Sequence, residues 1–431
     1  MTTRPAMRNR TVIPLCRLAI GLALAILAVG GCIPSRLHDV GAFDDDRIAP
    51  PAVRVRLMTT GHRLTVRGDG RFIVRTASPG KQSDTFSTPG PITLPFSRNR
   101  IKVRGEKNVK LADNLTGVWI AATDSSQRLW LGDVPYFGAL MIGFGADGKP
   151  LVTNRLNLDA YLTGVLAPEM GERAPNEIEA VKAQAVAART YALAHLGQYE
   201  GAPYDLKADV SDQVYVGASQ QRPWVGQAVA VTAGEVITYG NHLIDAYYFS
   251  TCGGRTDNIE DVWPKAPRPF LVSVDDDTFC HWSKYSTWTE SFDKNTLLRN
   301  LRAYRQQLNQ PSIKDFKTVK DIRLEGETPG GRVKTMIVVT PEREWTIGAD
   351  RIRWALGRPS RLGSILPSDR FKLELKRDRH RNVIGATVTG VGYGHGVGMC
   401  QCGMIGRARA GQQYRDILTH YYTGAQIVRV Y

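Results

Sequence analysis

Residues 158–196 read LDAYLTGVLAPEMGERAPNEIEAVKAQAVAARTYALAHL, and this stretch decides how the chain is organised. Leu158–Leu166 reads as a short helix, and Pro168 predicts its end, because the residue before a proline is disfavoured in the helical region. Glu169 and Met170 then fall on a connector. A longer helix is expected from about Glu177 to His195, with Asn176 as its cap and Glu179 three residues on in a capping-box-like spacing. Ile178, Val181, Ala185, Ala188 and Ala192 recur at three- and four-residue steps and make one apolar stripe. That stripe is mostly alanine, so a neighbour can approach closely. Lys182 and Arg189 lie along its margin.

Working outward, residues 53–153 carry a β pattern. Val53, Val55 and Leu57 alternate with arginines, and Gly68-Asp69-Gly70 and Asp147-Gly148 read as hairpin signals. From about Lys284 the character shifts: Asn295–Tyr304 is an amphipathic helix pattern, Val333–Val339 an apolar strand, and Ala349–Leu356 a short helix ended by Gly357. Val383–Val391 returns as a strand into a glycine-rich loop, and Gln412–Tyr422 reads as a closing helix. The fold class is therefore α+β: a β-rich N-terminal sheet or barrel, a helical catalytic core, an inserted α+β segment, and a closing strand, glycine loop and helix. The expected divisions are 1–31 signal, 32–52 tether, 53–153 β-rich region, 154–283 core, 284–380 insertion and 381–431 closing piece.

The N-terminus reads as an address. Arg4, Arg8, Arg10 and Arg17 precede the apolar run Leu18–Val29, and Val29-Gly30-Gly31 leads into Cys32. A basic start, a short apolar run and small residues describe an export signal. Small residues directly before a cysteine are the pattern of a bacterial lipobox, with Cys32 as the lipidated residue. The chain is thus expected in the cell envelope, held to a membrane through Cys32. The formal charge of +15 suits an anionic polymer or membrane surface. Nucleic acid is not expected, because no basic run is interleaved with aromatics.

Cys252, Cys280, Cys400 and Cys402 are an even number, and in an oxidising compartment they are disulfide candidates. The alternative is a thiolate metal site, a structural zinc held by the same four residues. Connectivity is not readable from spacing, and no cofactor is expected.

Glu169 is the sharpest catalytic candidate. Its apolar neighbours Leu166, Pro168 and Met170 favour the protonated form, while a helix N-terminus and Arg189 favour the charged one. Gly392-Tyr393-Gly394-His395-Gly396-Val397-Gly398 suits a backbone passing close to a ligand, with His395 and Gln401 as ligand-binding candidates or His395 as a structural turn histidine. Asp257, Glu260 and Asp261 read as solvated loop charge.

PEM followed by EAVKAQAVAARTYAL resembles the SpoIID/LytB family, stage II sporulation protein D and its relatives. SDQVY at 211–215, STCGGRTDNIEDVW at 250–263 and GYGHGVGMCQCG at 392–403 resemble the family in order and spacing, from about Val53 onward. The resemblance implies a peptidoglycan lytic transglycosylase. Glu169, in the P-E-M motif, would act as the single acid and base, cutting between N-acetylmuramic acid and N-acetylglucosamine to leave anhydro ends. It also implies substrate contacts from Asp212, Gln213, Ser250 and Thr251, with Arg189 on a muramyl carboxylate or positioning Glu169. Part of the family is described as amidase enhancers, so the alternative is a non-catalytic wall-binding protein with a partner amidase. A thiol hydrolase using Cys252 with His395 is the third reading.

Overall fold

The computed structural model describes residues 49–57, 61–80, 82–307 and 316–431. The signal, Cys32 and most of the tether lie outside the described residues.

Period-two alternation builds the N-terminal region: Val53, Val55 and Leu57 are buried while the arginines between them face outward. Seven strands form one sheet, in spatial order Leu206–Lys207, Ala52–Leu57, Pro150–Asn157, Ala139–Phe144, Gly117–Ala122, Phe72–Ala77 and Thr85–Thr88. Six more form a second, in the order Val134–Tyr136, Leu129–Leu131, Arg63–Gly68, Ile92–Ser97, Arg100–Arg104 and Lys110–Leu115. Apolar residues of both sheets belong to one core, which continues into the helices.

The Asp147-Gly148 hairpin forms as expected, joining Ala139–Phe144 to Pro150–Asn157. Gly68-Asp69-Gly70 does not form one. Arg63–Gly68 and Phe72–Ala77 lie in different sheets, and the glycine pair carries the chain across. The Asp69 carboxylate fixes that crossing by accepting from Trp130 Nε1 (2.7 Å) and Arg128 Nε (2.8 Å).

Helix α1 spans Leu158–Met170, so Pro168 does not end it. A proline in a helix removes the bond to the carbonyl four residues back. Here that carbonyl, on Gly164, accepts from the Val216 amide instead (3.2 Å), and Gly164 has no Cβ to obstruct Tyr215 and Gly217. Glu169 is thereby helical, on the last turn of α1 rather than on a connector. Asn157 caps α1 through its side chain, accepting from Ala160 N (2.7 Å).

Helix α2, Ile178–Ala194, follows a 3₁₀ turn at Pro175–Glu177. Asn176 is part of that turn and not the cap; Glu177 reaches back to the Ala174 amide instead (2.9 Å). Nearly every residue from Ala180 to Ala192 is buried, so the alanine stripe extends around the whole helix. Alanine admits close neighbours on every side: α1, α3 (Pro223–Val231), the strand Glu235–Tyr239, and two C-terminal helices. Enlarging Ala185 to leucine would overpack this centre, at a cost of about 1–3 kcal/mol.

After the short α4 (Ile259–Val262) comes the inserted region, which has its own core around Leu301, Met336, Val338 and Ile352. It contains α5 (Lys294–Gln307), α6 (Arg351–Leu356) and two three-stranded sheets. Val383–Gly390 is the middle strand of one of these, between Trp288–Asp293 and Phe371–Arg377. The chain therefore rejoins the first core at the glycine loop. Helix α7 (Gln401–Arg409) and helix α8 (Tyr414–Tyr421) close it, and the strand Gln426–Arg429 pairs with Glu235–Tyr239. No helix among the described residues is long and apolar enough to cross a membrane.

Candidate active site

The parallel pairing of Tyr248–Phe249 with Met399–Cys400 sets the start of α7 beside the C-terminal turn of α1. Gln401, the first residue of α7, donates from Nε2 to Glu169 Oε2 at 2.8 Å. Two residues 232 positions apart, each singled out from sequence, thus meet. Burial raises the Glu169 pKa above the ordinary carboxylate value, and the Gln401 amide opposes that only in part. Among the described residues, no cation and no second carboxylate perturbs it. A carboxyl so placed exchanges a proton more readily near neutrality than a solvated one.

Tyr248 was missed in the sequence. Its phenol accepts from Gln213 Nε2 (3.1 Å) and lies within electrostatic reach of Glu169. The available signal was its position two residues before the Ser250-Thr251 motif. Gln213 is 1% exposed and also engages Tyr161 and the Ala188 carbonyl, so it holds Tyr248 rather than meeting a ligand.

Other expected contacts are withdrawn by burial. Arg189 is 0% exposed, enclosed by Asp159, Tyr431, Thr232 and the carbonyls of Val229 and Glu235. It braces α2 and touches neither Glu169 nor open space. Thr251 is likewise fully buried, bonded to Ser283 (2.8 Å), whereas Ser250 beside it is half-buried. Asp212 ties its loop together, accepting from Tyr199 (2.9 Å), Gln198 (2.9 Å) and the Lys207 amide (2.8 Å).

His395 is the structural turn histidine. Its Nδ1 accepts from the Val397 amide (3.2 Å), which leaves Nε2 to donate to the Tyr248 carbonyl (3.1 Å). Both ring nitrogens are committed to backbone, and burial pushes the pKa down to about 4, so the ring stays neutral. The loop around it has positive φ at Gly392, Gly394, Gly396 and Gly398, a conformation that favours glycine.

The acidic residues near Trp263 are not all solvated. Asp257 is 0% exposed and accepts from Arg332 Nε (2.7 Å) and the Gly330 amide (2.7 Å). Arg332, also fully buried, pairs with Asp369 and donates to the Gly394 carbonyl (3.0 Å), tying the insertion to the glycine loop. Asp261 pairs with Lys334.

None of the four described cysteines is joined in a disulfide, so the disulfide expectation is not supported. Cys252 and Cys280 place their sulfurs 3.5 Å apart, beyond a covalent bond. Cys402 stands apart and accepts from the Thr251 hydroxyl (3.4 Å). His395 makes no contact with Cys252 sulfur, so the pairing needed for a thiol hydrolase is missing among the described residues.

Comparison with known proteins gives a consistent result. A family model described as stage II sporulation protein, SpoIID, matches residues 146–239, and a model described as a domain of unknown function matches 280–398. An uncharacterized protein of Brachyspira hyodysenteriae is 33% identical over 326 residues, covering 75% of this chain and 81% of the relative. Stage II sporulation protein D of Bacillus subtilis is 32% identical over 287 residues, 63% of this chain and 74% of the relative. The amidase enhancer of Bacillus subtilis is 30% identical over 301 residues, 62% of this chain and 40% of the relative.

Proposed function

From the premise that this chain belongs to the SpoIID/LytB family, we propose that it is a peptidoglycan lytic transglycosylase with Glu169 as its acid and base. The observation that supports this reading best is a half-enclosed carboxyl whose hydrogen-bond partner is a neutral amide, Gln401. Protonated Glu169 donates to the oxygen bridging N-acetylmuramic acid to N-acetylglucosamine, and the glycosidic bond breaks. The muramyl six-hydroxyl bonds to the anomeric carbon and returns its proton to Glu169. Atoms balance without water, and one carboxyl serves where a glycosidase generally uses two.

Gln401 orients the carboxyl and favours its charged form after the first transfer. Tyr248 and Ser250 offer hydroxyls to the sugars. Asp212, Gln213 and Thr251 hold the walls. The same reading places the protein in the envelope, exported and lipid-held at Cys32.

Purified glycan strands, with and without stem peptides, digested and read by mass spectrometry, test the reading. Anhydro-muramyl ends are expected. Reducing ends would mean hydrolysis and overturn it. No cleavage, with wall binding and stimulation of an amidase, would favour the second reading, for which the amidase enhancer relative is the supporting observation.

A further inference from the structure

The proposed chemistry uses none of Cys252, Asp276, Cys280 and Cys400, yet these converge from three separate stretches of chain. All four are 0% exposed, and their sulfurs and a carboxylate oxygen lie within 4.8 Å of one another. We propose that they form a closed, four-coordinate site for a thiophilic divalent cation, zinc by preference, which fixes the start of α7 and with it Gln401.

The donor set fits. Zinc takes thiolates at about 2.3 Å and carboxylate oxygen at about 2.0–2.2 Å in tetrahedral array. Ligand atoms around such an ion lie roughly 3.5–4 Å apart by that geometry, and the four here lie within 4.8 Å of one another before any ion enters. Cys252 sulfur is 3.5 Å from Cys280 sulfur and 3.1 Å from Asp276 Oδ2.

Backbone amides aim at the sulfurs: Gly254 at Cys252 (3.3 Å), and Cys252 and Gly403 at Cys400 (3.2 and 3.3 Å). Amide donors stabilise negative sulfur, the form that binds metal.

Asp276 is held from behind. Its Oδ1 accepts from Tyr421 O–H (2.6 Å) and Arg407 Nε (3.2 Å), leaving Oδ2 toward the sulfurs. Outer partners that orient a ligating carboxylate are the usual support of a metal site. Gly403 keeps that space open, since a Cβ there would collide with Asp276 Oδ2.

Parity separates the metal from a disulfide. One bond between Cys252 and Cys280 would leave the Cys400 thiol and a carboxylate buried against it. A single cation uses all four groups. Cys402, expected in the cluster from spacing, is one residue inside α7 and bonded to Thr251 instead. Cys400 caps α7 directly before Gln401, so the ion would tie the catalytic hydrogen bond to the segment carrying Cys252 and to the one carrying Asp276 and Cys280. The site stands whether or not the chain cleaves glycan.

The test is metal content of the full chain, purified without chelator, by plasma mass spectrometry, with cobalt(II) exchanged for zinc. One equivalent per chain is expected, with an intense thiolate-to-cobalt charge-transfer band. Cys402→Ser keeps the metal and Cys280→Ser loses it. Should Cys280→Ser fail to fold, the wild-type cobalt spectrum and Cys402→Ser decide. A metal-free folded chain, whether with titratable thiols or with a Cys252–Cys280 disulfide, would overturn the proposal, as would loss of the metal from Cys402→Ser.

Discussion

Glu169 and the Asp257–Arg332–Asp369 trio are two ways of enclosing carboxylates within one chain. Asp257 and Asp369 surround a guanidinium and are at most 1% exposed. Glu169 is half-buried, and its side-chain hydrogen-bond partner among the described residues is the neutral Gln401 amide. Enclosure around a guanidinium makes a brace, because each carboxylate is held by a charge-assisted hydrogen bond and the geometry is fixed. Enclosure without one leaves a proton to gain or lose. The difference lies in the partner, and it separates the residue proposed to do chemistry from the residues that hold the insertion to the glycine loop.

The comparison breaks most sharply at Glu169. Glu169→Gln keeps shape and the Gln401 contact but removes the proton, and glycan cleavage is expected to fall by about 10²–10⁴-fold. Thermal melting of the same sample should show no loss of stability, since a carboxyl raised by burial contributes nothing favourable when charged. Cleavage within about tenfold of wild type would remove Glu169 from the mechanism.

Arg332→Ala is the mirror experiment. It leaves two buried carboxylates unpaired, and about 3–5 kcal/mol of stability should be lost, measurable by denaturant unfolding. A loss below about 1 kcal/mol, the range of exposed pairs, would mean that the trio is not a brace.

Gln401→Ala sharpens the contrast with a smaller effect. A hydrogen bond to a charged group contributes about 1.5–3 kcal/mol, and part of that loss should appear as roughly tenfold slower turnover. The fold should persist, because Gln401 lies at the half-exposed start of α7. Unchanged turnover would make the contact incidental.

Much of this was legible in the sequence, and what was not has identifiable causes. Helix α2 announces itself because alanines and apolar residues recur at helical spacing without interruption. Glu169 stands out by its motif and its apolar neighbours. The continuation of α1 through Pro168 was not legible, since it depends on a Val216 amide 52 residues beyond the Gly164 carbonyl it satisfies. Helix α7 reads as loop because of Gly403 and Gly406. A Cβ at either glycine would collide with Asp276 or the Phe279 backbone, a tertiary reason that local propensity does not carry. Asp257 looked solvated because its partner, Arg332, comes from the insertion. The cysteine cluster mixes sulfurs from positions 252, 280 and 400 with an aspartate that no spacing rule would have selected.

The central claim is that Glu169 works as a protonated acid whose pKa is governed by burial and Gln401. The pH dependence of kcat/KM for glycan cleavage, wild type beside Gln401→Ala, tests it most directly. Burial raises the pKa of Glu169, so the acid form persists above the ordinary carboxylate range and activity should fall as pH rises through the shifted value. Gln401 favours the charged form, so its removal should move that descending limb to higher pH. A limb that moves to lower pH in the variant, or a wild-type rate that only rises across the range, would contradict the account.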